Sequence, residues 1–170
     1  VQNLYRQALQ ERDIAWWNTE IKSLLEQTRN KNLPNEERRM LKRSVSFLSL
    51  LFYMASNSTV NQNQLQQAIG YLHLYEQVDP ENTEVYYLQA RVATKNKDAS
   101  NSISLLLKAI DLGFTDNARV QNETDFSLSN TINIPIVGTN AWAGRSVDPI
   151  TTGTSSELWI RSQNTNSRRI

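Results

Sequence analysis

The sequence predicts an all-α protein: an antiparallel helix-pair solenoid followed by an irregular or extended C-terminal tail. Three observations point there. Apolar residues recur at three- and four-residue spacing in one segment after another, as far as about residue 115. The later segments echo one another after about 34 residues. Beyond about residue 125 the helical period stops. The expected organisation is a helical domain over 1–128, with repeat-like units at about 49–82 and 83–115, and a tail over 129–170.

The elements follow in chain order. Ile14, Trp17, Ile21, Leu24 and Leu25 share one helix face, with Leu4 and Ala8 in the same helix or a turn before it. TRNKNLPN ends that pattern. Pro34 then stands where a first-turn proline is tolerated, and Glu36 and Glu37 suit the positive end of a helix dipole. Leu41, Val45, Leu48, Phe52 and Ala55 form the next stripe, widened by Phe47, Leu51 and Met54. So wide an apolar arc calls for cover on more than one side, which places this helix at the centre. NSTVNQN reads as a polar loop. Leu65, Ala68, Ile69, Leu72 and Tyr75 make the following stripe, closed by the Asp79-Pro80 corner. Val85, Leu88 and Val92, with Tyr86, Ala90 and Ala93, make another. Asp98 is placed as an N-cap, Ile103, Leu106, Ala109 and Ile110 form the last strong stripe, and Gly113 ends it. In the tail, Ile132, Ile134 and Ile136 alternate like a strand, which Pro135 confines to an edge, while Trp142 and Trp159 stand isolated.

The echo is specific in residue type. FYMAS at 52–56 lies over YYLQA at 86–90, IGYL at 69–72 over ISLL at 103–106, and Val78 over Leu112. A helix-turn-helix unit of this length resembles the tetratricopeptide repeat. The resemblance is carried by large Phe52 and Tyr86, small Ser56 and Ala90, Ala68 and Ser102, Leu72 and Leu106, Ala109, and the Asp79-Pro80-x-Asn82 corner. Tyr75, Gln89 and Phe114 depart from the family pattern, and SNSTVNQNQ reads as a looser connection than its tight turn. GFTDNARVQNETDFSL resembles the short capping segment that ends such domains, where a final unit would otherwise expose an apolar face. Two units need further layers at their ends. The N-terminal helix with Trp16 and Trp17 is one, and residues 115–128 are the other.

Composition narrows the function. The formal charge of +1 gives no global field toward nucleic acid or anionic membrane, and no nucleic-acid partner is expected. No cysteine is present, which removes thiolate nucleophiles, disulfides and Cys-based zinc sites. VSFLSLLFYMA, at 45–55, is too short to cross a bilayer, so no transmembrane segment is expected. Val1 in place of methionine suggests a fragment or a processed chain. Abundant Asn, Gln, Ser and Thr, with no lysine after Lys108, favours an exported, periplasmic or lipid-anchored bacterial protein over a cytoplasmic one.

No constellation carries chemistry. His73 is the only histidine, so a His-rich metal site is not expected, and no cofactor is. Glu36 with Glu37 and Asp79 with Glu81 suit a helix start and a turn rather than acid–base catalysis. Arg38, Arg39, Lys42 and Arg43 spread over a solvated helix face. Asn57 and Asn122 open glycosylation-type triplets, which chance produces easily in so Asn-rich a chain.

One stripe suggests binding. Glu84, Tyr87, Arg91 and Lys95 recur at helical spacing opposite the apolar face, with Tyr53 and Asn57 as equivalents one unit earlier. In tetratricopeptide domains the first helix of each unit lines a groove, so the resemblance implies that these six residues line a partner-binding groove. The leading expectation is a non-catalytic scaffold for a protein or peptide. The alternatives are a structural domain of a larger exported or membrane-anchored protein, whose tail packs on the helices, and less plausibly a hydrolase around His73. The two neighbouring tyrosines divide: Tyr86 is expected in the core and Tyr87 on the groove.

Overall fold

The computed structural model describes residues 2–127, which are all-α with no strand among them. The tail expected over 129–170, with its strand at Ile132–Ile136 and its two tryptophans, lies outside the described residues. The helices are α1 (Gln2–Glu11), α2 (Ile14–Arg29), α3 (Asn35–Asn61), α4 (Leu65–Val78), α5 (Thr83–Lys95), α6 (Ala99–Asp111), α7 (Asn117–Asn122) and α8 (Thr124–Ser127). Helices α1–α6 belong to a unit that ends at Asp116, and α7 and α8 to a second unit beginning at Asn117.

Local chemistry sets the boundaries. Leu4 and Ala8 lie in a helix of their own, because Asp13 stops α1 and caps α2, its carboxylate accepting from Trp16 N at 2.8 Å. Pro34 is the N-cap of α3, and Arg38 donates back to the carbonyls of Lys31 and Leu33 at 2.8 and 3.2 Å. Asn82 caps α5 and Asp98 caps α6, accepting from Glu84 N and Asn101 N at 3.1 Å each. Gly113, at φ 103°, closes α6 as expected.

NSTVNQN is not a loop. Residues 57–61 continue α3, and the reversal is confined to Gln62–Gln64. Its hydrogen bonds run from Gln62 N to Ser58 O, from Asn63 N to Val60 O and from Gln64 N to Thr59 O. The turn between α5 and α6 repeats them 34 positions on, from Asn96 N to Val92 O, Lys97 N to Thr94 O and Asp98 N to Ala93 O. Asn63 and Lys97 occupy the left-handed region at φ 58° and 62°. Polar composition suggested a loose connection; the last turn of α3 is amphipathic instead, with Thr59 and Val60 buried and Asn61 exposed. The two connections are equally tight.

Packing follows the same order. α3 packs along α4 and α5 along α6, while α5 also meets α3 and α4. α2 rests on both α3 and α4, and α1 touches α3. Residues related by the 34-position shift are buried together: Phe52 with Tyr86, Ser56 with Ala90, Ala68 with Ser102, and Leu72 with Leu106. The equivalence stops at Val78, buried, and Leu112, 39% exposed. At the N-terminal end Trp17 is wholly buried, edge-on to Phe52 at 5.1 Å between centroids and 5.8 Å from Tyr5. α3 touches four helices, as its wide apolar arc required, but Met54 is 60% exposed. The most continuously buried segment is in α5, where Val85–Thr94 are all buried except half-buried Gln89.

Each helix pair carries one buried serine, with different consequences. Ser102 Oγ lies 2.7 Å from Thr94 Oγ1, and both are 3.0 Å from Ala90 O, so one hydroxyl donates to the carbonyl and the other to its neighbour. In the first pair Val60 stands at the position of Thr94, and Ser56 Oγ has no partner among the described residues.

Two stability outcomes follow. Lys97→Gly relieves a left-handed lysine and raises stability by about 1 kcal/mol, while Asn63→Gly gains only a few tenths, since asparagine tolerates that region. Ser56→Ala removes an unpaired buried hydroxyl and stabilises by about 1 kcal/mol. Urea midpoints for the three variants check both.

Candidate functional site

The six stripe residues fall on two helices. Tyr53 and Asn57 are on α3; Glu84, Tyr87, Arg91 and Lys95 are on α5, which packs against it. Tyr53, Asn57, Glu84 and Lys95 are half-buried. Tyr87 and Arg91, expected on an open face, are buried. Tyr87 is fully covered and stacked on Phe114, with centroids 5.1 Å apart and planes 13° from parallel. Arg91 donates to Asn61 Oδ1 at 3.0 Å and so ties α5 to the end of α3. Tyr86 is buried as expected, so burial does not divide the two tyrosines. Phe114, which departs from the repeat pattern, is what the sequence reading missed: an aromatic immediately after the helix-ending glycine was the available signal.

The Asp79-Pro80 corner is a polar knot. Asp79 Oδ2 accepts from Ser49 Oγ on α3 at 2.7 Å and from Asn82 Nδ2 at 2.9 Å. Tyr86 donates to Pro80 O at 2.6 Å. One corner thus joins α3 to the start of α5. Tyr75, which replaces an expected small residue, is buried beside this knot and lies 6.3 Å from the Tyr53 ring. Burial first, then the Asp79 carboxylate, push its pKa up to about 12.

A second feature is a cleft of about 540 Å³ formed by α4, α5 and α6. Glu76 organises its floor, accepting from Gln89 Nε2 at 2.9 Å and lying 3.6 Å from Lys108 Nζ. The ammonium also sits 4.0 Å from the centroid of the Tyr86 ring. The Tyr86 contact foremost, with Glu76 adding, holds Lys108 above the usual lysine range. Glu76 is therefore committed to joining three helices. Ile69, expected inside, is 44% exposed and lines this cleft with exposed His73. Among the described residues no three His, Asp or Glu side chains group as metal ligands, and no helix is long and apolar enough to cross a membrane.

A third feature lies between α1 and α3, a trough of about 460 Å³ that includes Leu9, Leu50 and Met54. No family model, curated protein or solved structure matches the chain.

The raised tyrosines predict an alkaline limit. Tyr5 is also pushed up to about 12, by burial first and then by Glu20, to which it donates at 3.2 Å. Below pH 10.0, the ordinary tyrosine value, both phenols are neutral folded or unfolded, and their contribution is fully present. Between that value and about 12 the unfolded chain loses the protons first, so stability falls as pH rises. Urea midpoints across this window should fall less steeply in a Tyr5→Phe/Tyr75→Phe variant than in the parent chain.

Proposed function

We propose that α3–α6 form two stacked units of tetratricopeptide type, and that the chain is a non-catalytic scaffold for a protein or peptide. One observation carries the reading. Turn hydrogen bonds, left-handed residues and buried positions recur together at a spacing of 34 residues. Helices that repeat in this way stack by nearest-neighbour contacts and leave an extended face between successive first helices.

That face lies along α3 and α5. Half-buried Tyr53, Asn57, Glu84 and Lys95 supply contact area and polar groups suited to a peptide backbone or carboxylate. Buried Tyr87 and Arg91 serve it from beneath, the first through its stack on Phe114 and the second through Asn61. The first ties α5 to the segment after α6 and the second ties it to the end of α3.

A displayed library of random peptides tests the reading. Panning on the purified chain should enrich peptides that bind it, and an Asn57→Ala/Lys95→Ala variant should bind them about ten-fold more weakly. No enrichment above an unrelated helical control would overturn the scaffold reading. Enrichment indifferent to Asn57, Lys95 and Tyr53 would overturn the face.

A further inference from the structure

The trough between α1 and α3 is an incomplete layer of the stack. The 34-position shift relates Leu51 and Met54 on α3 to Val85 and Leu88 on α5. Val85 and Leu88 are fully buried in a helix packed on α3 and α4. Leu51 is also buried, but Met54 is 60% exposed and its neighbour Leu50 is 54% exposed. α1 packs on α3, yet it has only 10 residues against 27 in α3. The apolar surface does not stop at Met54. Phe47 is shared with a second depression that reaches Met40, itself 59% exposed. From Met40 to Met54 the strip is about 21 Å long, four turns of helix.

The geometry points to this strip as the docking site for an amphipathic helix of about four turns, with acidic residues flanking its apolar face. Three features select that partner. The repeat provides a template at one end of the strip, since Val85 and Leu88, the equivalents of Leu51 and Met54, are covered by helices. The charges select its flanks: Arg6 and Arg43 are the only charged residues lining the two depressions among the described residues, and Arg6 already sits 5.5 Å from the Phe47 ring centroid. The cleft shape favours a helix over a lipid surface, which an exposed convex face would suit better.

The inference rests on the scaffold reading but uses a different surface. The probe is a synthetic 14-residue helical peptide with leucines at three- and four-residue spacing and glutamates beside them, titrated by fluorescence anisotropy against the full chain. A twin with lysine at every glutamate position is the control. The Glu-flanked peptide should bind at least about ten-fold more tightly than its twin, and Met54→Asp should weaken it by a similar factor. Arg43→Glu should narrow the preference between the peptides. Circular dichroism melts of both variants should match the parent, since both residues are exposed.

Equal binding of the two peptides, or binding unchanged in Met54→Asp, would overturn the proposal. So would phosphatidylserine vesicles that capture the chain in a Met54-dependent way, or a dimer that Met54→Asp dissociates. The Asn57→Ala/Lys95→Ala variant should bind the Glu-flanked peptide normally. Loss of the library peptides in that variant, with no binding of the Glu-flanked peptide to the parent, would remove the strip and leave the scaffold standing.

Discussion

Everything in the helical unit depends on how the chain satisfies its backbone at two reversals. A helix end leaves carbonyls without partners, and each unpaired group costs free energy once neighbours exclude water. At Gln62–Gln64 and at Asn96–Asp98 the chain turns one residue left-handed and returns three amides to the preceding helix. That closure pairs three of the four orphan carbonyls within three residues. The next helix then has little choice but to run back along the one it left, as α4 does along α3 and α6 along α5.

Once the reversals are fixed, small residues decide how closely the pairs approach. Ser56 and Ala68 are buried in the first pair and Ala90 and Ser102 in the second, where Ser102 donates to Ala90 O. The large residues beside them, Phe52 and Tyr86, then project toward what precedes each unit. Phe52 meets Trp17, which closes the N-terminal end, and Tyr86 meets the Asp79-Pro80 corner. The corner is where the pairs are joined, since Asp79 reaches Ser49 on α3 and Asn82 at the start of α5. Glu76 performs a parallel task on the other side, where Gln89 and Lys108 converge on its carboxylate. Hydrogen bonds to charged groups are stronger than neutral ones, so these two carboxylates give the apolar stack its register.

This division explains which surfaces remain for a partner. α5 is buried from Val85 to Thr94 apart from half-buried Gln89, and its ends, at Glu84 and Lys95, stay half open as well. α3 is different, being twice as long and flanked on one side by a short helix. Methionine and leucine therefore remain in water at Met40, Leu50 and Met54. Exposed apolar residues on one strip are costly unless something covers them, and singly scattered ones are not.

The sequence by itself determined the all-α class and the 34-residue echo in residue type. Apolar spacing located α2–α6, Asp98 and Gly113 marked ends that the backbone confirms, and the aromatic and aliphatic echo fixed which positions are equivalent. These were legible because helix periodicity and capping are local. Only the tertiary structure decided where α3 stops, because Ser58-Thr59-Val60-Asn61 is polar in composition yet has its Thr59 and Val60 covered by neighbours. It also decided that Tyr87 lies buried on Phe114 and that Met54 lies open. Both depend on residues distant in sequence: a ring beyond the end of α6 in one case, and the short reach of α1 in the other. A face is buried by what packs against it, and periodicity alone does not say how far the neighbouring helix extends.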